Sequence, residues 1–199
     1  MRGTAAVLTL SLVGPATLSG QELHAGLGYA HIFRAGGFSF ATGYVNPIGP
    51  PGAVRQGVGG DFWWANTDVA SRPPGNGSRD VVGFGARYEI DFVRCCGRIH
   101  PLAAVPVQVI HSSVSLPSDL QDGAAILLLP RPTGTPRAED RAGGAWGWGA
   151  GLELGLQVEL SPQWNLATSG TAMYQDVYAA SATNGAWTWH LGATYRLGP

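Results

Sequence analysis

The chain has 199 residues, of which 13% are charged, and a formal net charge of −1. Its 12 basic residues are all arginine and form no basic cluster, which argues against nucleic-acid binding. With 45% apolar residues it is not a disordered chain, and with no apolar run of about 18 residues it has no transmembrane helix.

Residues 1–20 have the order of features expected of a cleaved secretory signal peptide. Arg2 supplies the positive start, Ala5 to Val13 the short apolar core, Gly14-Pro15 the break, and Ala16 to Gly20 the mostly small residues before the cut. The mature domain is then 21–199.

From residue 22 onward the strand period of two replaces any helical period. Residues 22–33 set Leu23, Ala25, Leu27, Tyr29 and Phe33 against Glu22, His24, Gly26 and Gly28. Residues 37–45 set Phe38, Phe40, Thr42 and Tyr44 against Ser39, Ala41 and Gly43, and residues 57–65 set Val58, Phe62 and Trp64 against Gly57, Gly59 and Asp61. The alternation is sharpest over 81–92, where Val82, Phe84, Ala86, Tyr88, Ile90 and Phe92 oppose Val81, Gly83, Gly85, Arg87, Glu89 and Asp91. Cys95 and Cys96 follow as turn residues, because a disulfide fits awkwardly across one peptide. Residues 99–111 are apolar on both faces and carry Pro101 and Pro106, a weaker strand.

Residues 112–145 form the longest loop, with an apolar run from Ala124 to Leu129 among four prolines. Residues 146–160 alternate Trp146, Trp148, Ala150, Leu152, Leu154, Leu156, Val158 and Leu160 with glycines, Glu153, Gln157 and Glu159. A strand with small residues on one face explains Gly143 to Gly151 better than a phosphate loop does. Residues 164–175 alternate less sharply. Residues 187–197 close the series with Trp187, Trp189, Leu191, Ala193, Tyr195 and Leu197 on one face. Eight strands are predicted, joined as an antiparallel up-and-down barrel.

The second face of these strands is mostly Gly, Thr and Ser with a few charges, too few for a wet surface but suited to a narrow closed lumen. The apolar face is then the outside and its solvent is lipid, which strands can cross only in a closed sheet. Eleven residues at about 3.3 Å rise and a tilt of about 40° span roughly 28 Å, the height such a barrel needs. Aromatics gather at both sets of strand ends: Phe33, Phe38, Trp64, Trp146, Trp148, Tyr174, Trp187 and Trp189 at one, and Tyr44, Phe92, Trp164 and Tyr195 at the other.

In these respects the chain resembles the small outer-membrane β-barrel proteins of the OmpA/OmpX type. The resemblance covers nearly all of 21–199 and includes a closing strand, Trp187 to Leu197, that looks like the family's carboxy-terminal insertion signal. It departs from that signal in ending Leu197-Gly198-Pro199 rather than on an aromatic residue. The resemblance implies a transmembrane barrel in the cell outer membrane, the lipid bilayer as its surroundings, and the barrel-assembly machinery as a partner through the last strand. With the chain stopping at that strand, no periplasmic domain is expected to follow. No single activity is implied.

The expected interior polar cluster is Asp61, Arg87, Glu89, Glu153 and Arg196. Arg87 is expected to pair with Glu89, Glu153 or Asp61, and Arg196 to lie near Glu22 or His24, because buried charges must be paired. Such a set fills a structural plug or lines an ion path, and the plug is the expected role. The five histidines show no metal-ligand spacing, and no cofactor is expected. His111 and Ser112, with Asp119, Asp122, Glu139 and Asp140, allow a lipid hydrolase on the rim to be drawn without a motif to support it. The expected function is a non-enzymatic outer-membrane barrel with a structural or surface-interaction role, loop 112–145 being open to a surface partner. The alternatives are a narrow channel for small or apolar solutes and a secreted soluble barrel holding a hydrophobic ligand.

Overall fold

A computed structural model describes residues 20–33, 35–50, 52–68, 77–93, 97–115, 143–177 and 185–197. Residues 1–19 of the expected signal peptide, Cys95 and Cys96, and most of the long loop, including its apolar run, lie outside the described residues. Eight strands follow in chain order: β1 (Glu22–Ile32), β2 (Ala35–Ile48), β3 (Arg55–Asp68), β4 (Ser78–Asp91), β5 (Ile99–Ser115), β6 (Gly143–Glu159), β7 (Trp164–Asp176) and β8 (Gly185–Arg196). Each pairs antiparallel with the next, and β8 returns to β1, so the sheet closes and leaves no edge.

The stagger of the closed sheet can be traced through its register. Starting at Ala103, partners run through Leu154, Gly170, Trp189, Tyr29, Phe38, Asn66 and Asp80 and return to β5 at Ser113, ten residues further on. A stagger of this kind tilts the strands, and eight tilted strands leave a lumen just wide enough for side chains to fill.

The pleat sorts the two faces as the alternation predicts. Phe84, Leu154 and Leu191 are 47%, 60% and 47% exposed, whereas Arg87 and Glu153 are 7% and 8% exposed. The greasy face looks outward and the charges look into the lumen. Aromatic rings meet on the outside at both rims, Trp148 with Tyr174 and Tyr29 with Trp187 at one, Trp164 with Tyr195 at the other.

Several expectations need correction. β5 is a full strand and alternates strictly. Its inward Leu102, Ala104, Pro106 and Ile110 fill the lumen, which is why both of its faces are apolar. Its pairing with β6 lapses between Ala104 and Val107, where Pro106 has no N–H to donate. Residues 112–115 and 143–145, expected in the loop, extend β5 and β6 as a longer hairpin. Phe33, expected on the outer aromatic face, is 5% exposed and has a φ of 49°. The chain turns at that residue, and the ring swings in over the barrel's end.

Candidate functional site

The lumen is built in two layers. At the end formed by the β1–β2 turn, Ala30, Ile32, Phe33, Trp63, Ala65, Val81, Ile110, Val177 and Ala186 pack into one apolar cluster. Toward the other end charged and amide-bearing side chains join the inward positions, beside the apolar Val45, Leu102 and Ala104. Among these polar side chains lies a cavity of about 90 Å³, lined by His24, Asp61, Arg87, Glu153 and His190 among others. That is room for a few waters.

Of the predicted cluster, four residues come together. Arg87 donates from Nε and Nη2 to Glu89 Oε2 at 2.9 and 2.7 Å, and from Nη1 and Nη2 to Glu153 at 2.8 and 3.2 Å. Asp61 stands further off, 3.8 Å from Arg87 Nη1. Asp61 Oδ1 also lies 3.3 Å from His24 Nε2, yet without the alignment of a hydrogen bond. One guanidinium thus faces three carboxylates. Removing it would leave charge buried without compensation.

The fifth predicted residue, Arg196, belongs to a separate group at the rim opposite the apolar layer. Its Nε donates to Glu22 Oε1 at 2.9 Å. Arg55 donates to both oxygens of Glu22 at 2.6 and 2.8 Å, and to Asp91 Oδ2 at 2.6 Å. Two arginines and two carboxylates balance there and fasten β1, β3, β4 and β8, including the β1–β8 seam. Arg55 was not singled out by the alternation, because it falls at the first residue of β3, ahead of the predicted strand.

Inward glycines make these contacts possible. His24, Gly43 and Asp61 are register partners in one row across β1, β2 and β3, and a Cβ on Gly43 would sit 2.6 Å from the His24 ring. The imidazole lies over the glycine and so reaches Asp61. The same device lays the Trp63 indole over Gly83. From there Trp63 Nε1 donates to Gln108 Oε1, two strands away. Trp63→Phe is expected to cost about 1–3 kcal/mol by stranding a buried amide oxygen, and Gln108→Leu in the same chain to recover part of it. Urea unfolding of the refolded barrel measures both.

Phe33 closes the apolar layer. A left-handed backbone costs a residue with a Cβ about 1–2 kcal/mol. Burying the ring returns roughly 1.5–3 kcal/mol, and the Arg79 guanidinium stacks on it with Cζ 4.9 Å from the ring centroid, a contact of about 0.5–2 kcal/mol.

The chemistry available is limited. No group of three or more metal-ligating side chains occurs among the described residues. Ser39 Oγ and His190 Nε2 are 3.0 Å apart across Gly28, but Ser39 is wholly buried, so no substrate reaches it. His111 and Ser112 both lie within β5, one facing out against Trp146 and the other in. Adjacent strand residues point to opposite faces, so these two do not form a nucleophile–base pair.

No protein-family model matches the chain, and no curated protein matches it. Solved structures do. Neisserial surface protein A (NspA) is similar at a TM-score of 0.56 and 16% identity, over 90% of this chain and 98% of that one. The outer membrane protein OprG from Pseudomonas aeruginosa is similar at 0.51 and 10%, over 91% and 97%. The outer membrane enzyme PagL is similar at 0.50 and 9%, over 88% and 99%. The fold of this chain is that of the small eight-stranded outer-membrane β-barrels.

Proposed function

We propose that the chain is an integral outer-membrane protein, matured by loss of residues 1–20, whose barrel acts as a structural element or surface-interaction platform and neither conducts nor catalyses. One observation carries this reading: the lumen is largely occupied, by an apolar cluster at one end and paired charges beyond it, leaving a cavity of about 90 Å³. The outward apolar face supports lipid as the surroundings. The start of β1 and the end of β8 then lie on the periplasmic side, β8 is the strand offered to the assembly machinery, and the long connection within 112–145 is open to a surface partner. PagL is an outer membrane enzyme, so the fold alone does not decide catalysis. The inaccessible Ser39 and the divided His111 and Ser112 favour the non-enzymatic reading.

Two measurements on detergent-extracted protein test it. Unheated material is expected to migrate faster on gels than heated material, as a closed barrel does, and to give no ion current in planar bilayers. Extraction by salt alone would support the soluble-carrier alternative. Steady single-channel currents would replace the plug by the channel reading.

A further inference from the structure

The central charge cluster does not balance. One guanidinium, that of Arg87, stands among Asp61, Glu89 and Glu153. With neutral histidines, one positive charge against three negative leaves an excess of two negative charges inside the lumen. Glu89 and Glu153 take hydrogen bonds from Arg87. Asp61 does not: its side chain is 10% exposed, it lines the cavity, and its Oδ1 is buried without a hydrogen-bond partner. A buried carboxylate oxygen in that state needs a compensating group.

The neighbour that this oxygen has is a ring nitrogen. His24 Nε2 lies 3.3 Å away, out of line for a hydrogen bond, and Gly43 between the two strands leaves the space in which the imidazole lies. A nitrogen and an oxygen each held at about 2.0–2.1 Å by one tetrahedral ion stand about 3.3–3.4 Å apart, so the pair has the separation of two ligands on one metal. The cavity beside them has room for waters to complete the shell. A divalent ion cancels the excess of two charges, and an imidazole donor favours zinc-like ions over calcium or magnesium.

We propose that His24 and Asp61 bind one zinc-like divalent cation at the lumen cavity, with waters as its other ligands. The two residues come from β1 and β3, so no spacing within the sequence announces the site. Two protein ligands make it an exchangeable site, unlike the closed four-ligand sites that hold folds together. A second, smaller cavity at the Arg55 rim shares Glu22, Val45 and Glu89 with the first, which marks that rim, opposite the apolar cluster, as the side of entry.

Zinc binding to the refolded, untagged barrel tests the site. Cys95→Ser and Cys96→Ser are introduced first, because adjacent thiols bind zinc themselves. The chain is refolded in detergent with zinc sulfate present, so that access does not limit loading, and bound zinc is read by equilibrium dialysis. One zinc per barrel is expected in this background. Asp61→Asn and His24→Gln are each expected to bind at least about tenfold more weakly, the least that a lost ligand costs, and His100→Gln, which removes a buried imidazole elsewhere in the lumen, to bind as the background does. Unheated gel migration shows that each variant is a closed barrel. X-ray absorption at the zinc edge reads the unsubstituted site and guards against variants that do not fold: one imidazole among oxygen ligands is expected. No zinc in the background, unchanged binding in both variants, or a shell without imidazole would overturn the site. Absence of zinc would mean that protons on the histidines or carboxylates supply the balance. Conductance bears on the plug separately: a non-conducting barrel that binds no zinc removes the site and leaves the plug intact.

Discussion

Arg87→Met is expected to destabilise the refolded barrel by about 3–5 kcal/mol, the range for breaking a buried ion pair from one side. The reason is the count of charges around it. Glu89 and Glu153 are both 8% exposed or less and both take their hydrogen bonds from Arg87. Asp61 lies at the edge of the same field. Without the guanidinium the carboxylates face one another across a narrow lumen. Methionine roughly fills the volume but offers no donor, so the loss measures electrostatics more than packing. Glu89→Gln and Glu153→Gln added to Arg87→Met are expected to restore most of it, since an uncharged, well-packed replacement of a buried ion cluster is often neutral. Guanidinium unfolding in detergent gives both numbers. A loss of less than about 1 kcal/mol in the single variant, the value of a solvated surface pair, would mean that water already screens the lumen.

The faces of the barrel were legible in the sequence because lipid and lumen impose opposite demands on neighbouring residues. Over 81–92 and 146–160 every second position is greasy, and the structure turns those positions outward. The signal weakens wherever the lumen itself is apolar. β5 contributes Ile110 to the apolar layer and Leu102 and Ala104 to the polar part of the lumen, so its inward residues look like its outward ones. Strand ends were read short for a related reason. Ser78 to Asp80, Ser112 to Ser115 and Gly143 to Ala145 resemble turn residues by composition, yet they continue the ladder above the apolar band. Phe33 was misplaced because period two holds only while the backbone stays extended. A single left-handed residue reverses the face, and nothing in the residue type announces it.

The charge pairs were half legible. Alternation assigns Arg87, Glu89 and Glu153 to the lumen, but which of them meet depends on stagger. With a ten-residue stagger, Arg87 on β4 comes level with Glu153 on β6, whereas Arg196 meets Glu22 across the β1–β8 seam, as closure of the barrel leads one to expect. Stagger is a property of the whole closed sheet and is written in no single strand. Arg55 shows the same limit, since its partners Glu22 and Asp91 come from β1 and β4 on either side of the β2–β3 hairpin.

The inside-out assignment has a sharp consequence on β6. Leu154 and Leu160 are both outward-facing and similarly exposed, 60% and 64%. They differ in depth: Leu154 lies within β6, level with the central Arg87–Glu153 pair, whereas Leu160 follows the strand's last residue beside the tight Ser161 turn. If the surroundings were water, arginine at either place would change stability by only about 0.5 kcal/mol. If they are hydrocarbon, depth decides. Leu154→Arg is expected to cost about 2–4 kcal/mol and Leu160→Arg about 0–1 kcal/mol, because a guanidinium at the midplane loses its hydration while one at the interface keeps it. Reversible unfolding from phosphatidylcholine vesicles measures the difference directly. Equal effects at the two sites would place water on the greasy face and remove the membrane from the account of this barrel, whatever its topology.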